Sequence, residues 1–231
     1  DSFYIQNNFL KYFRMYYRFY DKNLDSVIAK HYRHFLERKE FLDSTLPNKD
    51  IKIRGHFFDY ELMPNFEIFN KYLEIKSEVI NFIKEKYPDI ENKKSVAVHY
   101  RGTDFKGFMS HIFQKGLQVD KDYYLLAIEK IESSLGKDIT YHLFSDDIEF
   151  LKEVFKNKKI VIHNDKAYQD WAAIYLMKNV IQTNSSFCWT ASLYNKNISI
   201  QPKNGYNYHQ QTGCIPYGFN HKNSILIRPN K

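Results

Sequence analysis

The chain has 231 residues, 43% of them hydrophobic and 26% charged, so it can bury the core of one large domain or of two small ones. No stretch approaches the roughly 18 to 20 uncharged apolar residues of a membrane-spanning helix, so we expect no segment to cross a bilayer. The net charge of +7 favours an anionic partner, and it does not choose among nucleic acid, an anionic membrane surface and a phosphorylated small molecule.

Cysteine content and the start of the chain bear on its compartment. Cys188 and Cys214 are the two cysteines, and neither belongs to a pair with metal-ligand spacing, which argues against a disulfide scaffold and a zinc ribbon. The chain begins with Asp1, and no signal-peptide pattern opens it. These features favour a reducing compartment, and we expect a cytoplasmic location.

The first part of the chain, residues 1–88, has the pattern of a helix-rich domain. Apolar residues at helical spacing predict helices within 8–23 and 66–88, and Pro88 ends the second. Between them the segment IKIRGHFF, residues 51–58, alternates like a short strand. The basic, tyrosine-rich opening favours a helix packed on a core. The alternative is an amphipathic helix on an anionic membrane surface, which would make the protein peripheral to a membrane.

From residue 95 onward the pattern changes to alternating strands and helices. Strands separated by helical segments of this length predict a parallel sheet with helices on both faces, which is an α/β, doubly wound Rossmann-type domain over residues 89–231. The predicted strands cover 95–100, 138–144, 158–163, 179–182 and 197–201, and the predicted helices cover 122–135, 147–155, 168–178 and 186–194. The tail, residues 202–220, has the composition of a loop.

The first strand of this domain ends in HYRGTD. In open α/β sheets ligands bind beyond the carboxyl ends of the strands, so the residues there are the candidate site. His99 and Arg101 are two residues apart and face the same side, and Gly102 and Thr103 turn the chain toward Asp104. An arginine here suits a phosphate group, because its planar fork of N–H groups matches phosphate oxygens.

The second strand ends in FSDD, and the pattern leaves two interpretations open. Ser145 or Asp146 can cap the next helix, and Asp146 with Glu149 resembles a capping box, which is the interpretation that this segment alone favours. Alternatively, Asp146 or Asp147 accepts a hydrogen bond from a nucleobase or ribose.

The third informative strand end is TNSSF, residues 183–187, where the last predicted helix begins. Hydroxyls and unpaired amides at a helix start favour an anion, although a plain cap is an equal alternative. This helix start falls at the same edge of the sheet as the arginine of the first strand end. The sequence therefore predicts that Arg101 and the helix start around Ser185 bind one diphosphate.

These segments also resemble a known family. HYRGTDF, FSDDIEF and IQTNSSFCWTASLYNKN, in this order, are similar to motifs of the α-1,2-fucosyltransferases and the wider fucosyltransferase superfamily, and the resemblance covers roughly residues 51–202. It implies a GT-B-like fold and inverting transfer of fucose from GDP-fucose to a sugar hydroxyl, with galactose O2 as the expected position. The acceptor would be a glycan or a lipid-linked oligosaccharide, and no metal or other cofactor is implied.

The resemblance also implies residue roles. Arg101 would bind the diphosphate, with His99 and Asp104 shaping its loop, and Asp104 or His111 is the candidate catalytic base. Asp104 could equally serve to orient Arg101. The other implied contacts to the donor nucleotide are Asp146 or Asp147 at the guanosine, and Asn184, Ser185, Ser186 and Phe187 at the phosphates.

Two features depart from the family. The family usually has a second arginine where this chain has Gly102, and the glycine-rich segment expected before these motifs is absent. We therefore expect either that an N-terminal segment precedes Asp1 or that the chain is incomplete as an enzyme.

Other signals lead to other interpretations. DKD, residues 120–122, matches the Asp-x-Asp metal motif of other glycosyltransferases, but its place before an amphipathic helix favours capping by Asp120. Trp171 and Trp189 are expected in the core. The alternative functions are a glycosyltransferase with another nucleotide sugar and a nonenzymatic polyanion-binding protein. We expect no nucleic-acid partner, because the sequence has no RNA-binding aromatic signature.

Overall fold

The structure is a computed structural model, and it describes residues 13–14, 66–103, 119–194, 197–202 and 224–227. Its strands are β1 (Phe13–Arg14), β2 (Glu74–Ile75), β3 (Ser95–Tyr100), β4 (Thr140–Ser145), β5 (Lys159–Ile162), β6 (Asn179–Ile181), β7 (Ser199–Pro202) and β8 (Ile225–Ile227). Its helices are α1 (Phe66–Tyr72), α2 (Ser77–Lys86), α3 (Lys121–Leu135), α4 (Ile148–Val154), α5 (Ala167–Leu176) and α6 (Ser186–Ala191).

A parallel sheet of six strands forms the centre of the described chain, in the order β5-β4-β3-β6-β7-β8. The chain runs outward from β3 to β4 and β5, then returns to place β6 on the other side of β3. The strand order therefore reverses between β3 and β6, which is the point where open α/β sheets bind ligands. The predicted α/β, doubly wound fold is confirmed for this part of the protein.

Strand β3 is buried along its whole length because both faces of the sheet are covered by helices. Val96 and Val98 face one hydrophobic cluster, in which Tyr123 and Ile131 of α3 take part. Ala97, on the opposite face, joins a second cluster with residues of α2, α5 and α6. Alternating side chains of one apolar strand thus join two cores, each buried valine side chain contributing about 1.5 to 3 kcal/mol.

Helix α3 begins where the sequence predicts. The carboxylate of Asp120 accepts a hydrogen bond from the backbone N–H of Tyr123 at 3.0 Å, which is the geometry of an N-cap. The helix ends at Gly136, whose φ of +81° lies in the region that glycine tolerates best. Capping by Asp120 is confirmed.

The N-terminal prediction of a single helix over residues 66–88 is wrong. Two helices, α1 and α2, are separated by β2, which pairs antiparallel with β1. The two residues of β1 fall inside the helix predicted over 8–23 and are extended instead. This pairing joins residues about sixty positions apart, and helical periodicity within a short window does not reveal it.

Helix α2 ends at Lys86, two residues before Pro88, as predicted. It packs on the sheet domain through Val79 and Ile83, which are buried in the same cluster as α5. The boundary at residue 88 between two domains stays a prediction. None of the helices in the described ranges is long and apolar enough to cross a bilayer.

Candidate functional site

The first and third predicted strand ends lie side by side. Val98 of β3 pairs with Ile181 of β6, so the segments that follow these two strands leave the sheet as neighbours. The ring of His99 stacks on the ring of Phe187 in the first turn of α6, with centroids 5.6 Å apart and planes at 28°. The structure therefore brings these two predicted site residues together at the point where the strand order reverses.

Arg101 follows directly after β3 and contacts the second strand end. Its Nε lies 3.4 Å from Oδ2 of Asp146, and the arginine side chain is 43% exposed while that of Asp146 is 24% exposed. Strands β3 and β4 are neighbours in register, with Tyr100 opposite Ser145, so the segments after both strands meet at the same edge. All three predicted strand ends thus belong to one edge of the sheet.

Asp146 holds the segment after β3 by two hydrogen bonds. The backbone N–H of Gly102 donates to Oδ1 at 2.8 Å, and the hydroxyl of Thr103 donates to Oδ2 at 2.7 Å. The predicted capping box is wrong, because Asp147 is the N-cap of α4 and makes no side-chain cap bond, while Ser145 Oγ accepts from the Asp147 N–H at 2.9 Å. The contact of Asp146 or Asp147 with guanosine stays a prediction.

The environment of Asp146 favours its ionised form. Partial burial works against ionisation, but the N–H of Gly102, the hydroxyl of Thr103 and the guanidinium of Arg101 together hold the pKa of Asp146 below its ordinary value. The ionised carboxylate can accept both hydrogen bonds from the loop.

Gly102 sits where no side chain fits. A Cβ added there would lie 2.6 Å from Cε1 of Tyr100 and 2.9 Å from Cβ of Asp147. The Tyr100 ring is buried and stacks on Phe150 at 4.2 Å, so it cannot simply swing away. This packing gives a physical reason for the absence of the second arginine that the motif resemblance leads one to expect.

His99 is buried and neutral. Burial, and then the nearby positive charge of Arg101, lower its pKa to about 3, although Asp146 opposes this. Its backbone carbonyl accepts from the hydroxyl of Tyr124 at 2.8 Å, and its Nδ1 is buried without a hydrogen-bond partner among the described residues. The His99 ring is therefore a polar but uncharged group near Arg101.

The third strand end supplies the start of α6. Ser185 is the N-cap residue, is 7% exposed and makes no side-chain cap bond, and Asn184 precedes it. The N–H of Ser185 donates to the carbonyl of Thr183 at 2.8 Å, and its carbonyl accepts from the N–H of Trp189 at 2.9 Å. Ser186 opens the six-residue helix. The binding roles of these residues stay predictions, and Asp104 and His111 lie outside the described residues.

Sequence patterns do not reveal a cluster at the carboxyl end of β5. Ligand-type atoms of His163, Asp165 and Asp170 lie within 4.8 Å of one another. Lys86 Nζ is 2.5 Å from Asp165 Oδ1, and the Tyr87 hydroxyl donates to Oδ2 at 2.7 Å. Because an ammonium group already neutralises Asp165, we assign no metal to this cluster.

Asp170 and His163 each have an unsatisfied polar atom in that cluster. Among the described residues, Oδ1 of Asp170 and Nδ1 of His163 are buried without a hydrogen-bond partner. Burial, and then the charge of Asp165, raise its pKa to about 7.

With this geometry in place, comparison with known families gives the assignment. The sequence profile described as glycosyl transferase family 11 matches residues 9–213. The chain belongs to this family. The assignment confirms the resemblance to fucosyltransferases that the three strand-end motifs carry. No curated protein matches the family 11 chain.

Solved structures similar to this family 11 protein include fucosyltransferases. POFUT1 in complex with GDP is 18% identical in sequence and has a TM-score of 0.46. The match covers 59% of this chain and 50% of the POFUT1 chain. NodZ alpha-1,6-fucosyltransferase soaked with GDP-fucose has 16% identity, a TM-score of 0.46, and coverages of 75% and 62%. Fucosyltransferase NodZ from Bradyrhizobium has 12% identity, a TM-score of 0.44, and coverages of 74% and 62%. The chain spans about half the length of the POFUT1 structure that it matches.

Proposed function

We propose that this family 11 protein transfers fucose from GDP-fucose to a sugar hydroxyl of a glycan or lipid-linked oligosaccharide, with inversion at the anomeric carbon. Family membership supports the reaction class. The observation that carries the proposal is the position of Arg101, directly after the central strand β3, where the strand order reverses and α6 begins nearby. That is where a parallel sheet presents a binding crevice to a nucleotide.

Arg101 would stabilise the leaving group. In the transfer, a bond forms between the acceptor oxygen and C1 of fucose, the bond between C1 and the β-phosphate oxygen breaks, and its electron pair leaves with GDP. Negative charge therefore develops on the diphosphate, and a guanidinium preorganised beside it lowers the barrier. We propose that Asp104 takes the proton of the acceptor hydroxyl, since it follows Arg101 by three residues.

His99 and the start of α6 would shape the phosphate side. The His99 ring is neutral, buried and stacked on Phe187, so it would form a rigid, weakly polar surface near Arg101. Asn184, Ser185 and Ser186 would contribute hydrogen-bonding groups from the neighbouring strand end, as the resemblance implies.

The acceptor position and the location of the protein are the finer parts of the proposal. The choice of galactose O2 rests on the resemblance to α-1,2-fucosyltransferases alone. We also propose a cytoplasmic protein, on the basis of its cysteine content, with attachment to a membrane surface as the alternative that its basic charge allows. Acceptor oligosaccharides with and without a terminal galactose, assayed for fucose transfer with linkage analysis, would decide the position.

The donor site is tested by the change of Arg101 to alanine. We expect GDP affinity, measured by isothermal titration calorimetry, to fall about ten- to a hundredfold, because a charge-assisted hydrogen bond contributes about 1.5 to 3 kcal/mol. Lys137→Ala is the matched control: it removes an exposed positive charge at the opposite edge of the sheet, before β4, and should leave GDP affinity unchanged. Equal affinity of Arg101→Ala and wild type would contradict the proposal.

The identity of the donor is tested separately. GDP-fucose, GDP-mannose and UDP sugars at equal concentration should raise the melting temperature in the order of their affinities, because a ligand that binds the native state stabilises it. We expect the largest increase with GDP-fucose. A larger increase with another nucleotide sugar would leave the glycosyltransferase assignment in place and replace the donor.

A further inference from the structure

We propose that Asp146 is a positioning residue, which holds Arg101 and its loop in the conformation that binds the donor diphosphate, and that it does not read the guanosine. The inference rests on the proposed function of the site. It changes the role that the FSDD motif suggests by resemblance, where a carboxylate contacts the nucleoside.

Within the described residues, the side-chain contacts of Asp146 point toward the loop after β3. Oδ1 accepts from the N–H of Gly102 at 2.8 Å, and Oδ2 accepts from the hydroxyl of Thr103 at 2.7 Å. The Nε of Arg101 lies 3.4 Å from Oδ2. One carboxylate therefore contacts three consecutive residues of the loop, Arg101, Gly102 and Thr103.

The carboxylate is itself fixed by the sheet. It follows β4, which is in register with β3 over six residue pairs from Ser95 opposite Thr140 to Tyr100 opposite Ser145. On its other side, the N–H of Asp147 donates to Ser145 Oγ and begins α4. A carboxylate placed between a central strand and a helix start is a rigid support, whereas Arg101, Gly102 and Thr103, which it holds, belong to no helix or strand.

The closeness of Gly102 to its neighbours supports the same conclusion. The loop lies so near to Tyr100 and Asp147 that a Cβ at residue 102 would be 2.6 Å from the first and 2.9 Å from the second. The loop is thus docked on the FSDD segment rather than separated from it by a cleft that a nucleoside could enter at that place. A guanosine would have to reach the carboxylate from its exposed side, away from the loop.

The contact with Asp146 restricts the orientation of the Arg101 side chain. Its side chain is 43% exposed, and an exposed arginine samples many rotamers unless a partner restricts it. The contact of Nε with Asp146 engages the side of the guanidinium and restricts the side chain. Removing the charge of Asp146 should therefore weaken diphosphate binding without removing any group that touches the nucleotide.

The decisive experiment is a double-mutant cycle on the full chain. GDP affinity is measured by calorimetry for wild type, Asp146→Asn, Arg101→Ala and the double variant, and inorganic pyrophosphate is measured by competition with GDP. Asp146→Asn keeps the size of the side chain and should lower GDP affinity roughly five- to fiftyfold, with the same factor for pyrophosphate. In the Arg101→Ala background, Asp146→Asn should change GDP affinity by less than about twofold, because the side chain that Asp146 positions is no longer there.

Three results would overturn the inference. They are an Asp146→Asn effect that persists in full without Arg101, an effect on GDP that is absent for pyrophosphate, and the absence of any effect of Asp146→Asn in the wild-type background. The first would show that Asp146 does not act through Arg101, and the second would assign Asp146 to the nucleoside. If Arg101→Ala alone leaves GDP affinity unchanged, the proposed function fails instead, so the two failures are distinguishable.

A second pair of variants covers the case in which Asp146→Asn does not fold. Thr103→Val removes the hydroxyl that donates to Asp146 while keeping the side-chain shape, and Thr103→Ser restores it. We expect the valine variant to bind GDP roughly three- to tenfold more weakly and the serine variant to bind within about twofold of wild type. Equal affinities of both would count against positioning. Asp138→Asn, an exposed carboxylate at the opposite end of β4, is the control and should not change GDP affinity.

Discussion

Replacing Gly102 with alanine tests whether the loop is docked as tightly as its geometry indicates. The added Cβ would lie 2.6 Å from Cε1 of Tyr100, and reaching the 3.4 Å of an ordinary contact needs a shift of about 0.8 Å. The Tyr100 ring cannot supply that shift easily, since it is buried, stacks on Phe150 and meets Tyr124 edge-on. The loop must then move away from Asp146.

Two effects should follow from this displacement. Overpacking of a buried site costs about 1 to 3 kcal/mol, so the free energy of unfolding in urea should fall by that amount. Movement of the loop also lengthens the bond from the Gly102 N–H to Asp146 and shifts Arg101, so GDP affinity should fall about tenfold, which corresponds to 1.4 kcal/mol.

Gly136→Ala is the matched control. Its φ of +81° makes alanine unfavourable by about 1 to 3 kcal/mol, but no atom lies within 4 Å of the added Cβ, and the residue ends α3 far from the loop. It should lose stability and retain GDP affinity. If Gly102→Ala matches wild type in both unfolding free energy and GDP affinity, the tight docking of the loop is refuted.

Two further changes test the core beneath the site and the cluster beside it. Tyr124→Phe leaves the buried carbonyl of His99 without its 2.8 Å partner and should lower the free energy of unfolding by about 1 to 3 kcal/mol, measured in urea; no change would show that another donor serves this carbonyl. Asp170 has a folded pKa raised from 3.8 to about 7, so the folded protein keeps a proton that the unfolded chain loses, and stability falls as the pH rises from about 4 to 7. Asp170→Asn should therefore gain stability relative to wild type over that interval, by at most about 4 kcal/mol. A difference that does not vary with pH would contradict the raised pKa.

The sheet could be predicted because its signals are local. Strand β3 is found at the predicted residues 95–100, because a six-residue, mostly apolar run between lysines and a turn is typical of a buried strand. Asp120 caps α3 as expected, because an N-cap depends on residues three positions apart. Trp171 and Trp189 are both buried, as their size and apolar neighbours predict.

Long-range contacts account for what the sequence could not supply. The helix predicted over 66–88 breaks at β2 because of pairing with β1, and the pairing of β8 with β7 joins residues 25 positions apart, as between Ile200 and Ile225. Asp146 has the spacing of a capping residue, but it bonds to Gly102, 44 positions earlier. Only the fold places those two residues together. The cluster around Asp170 is likewise built from residues whose spacing carries no motif.

A crystal structure of the protein with GDP is the most direct test of the central claim. The diphosphate should lie beyond the carboxyl ends of β3 and β6, within hydrogen-bonding distance of the Arg101 guanidinium and beside the start of α6 at Ser185. Asp146 should still accept from Gly102 and Thr103 in that complex. A diphosphate bound away from Arg101, or at the opposite edge of the sheet, would contradict the account.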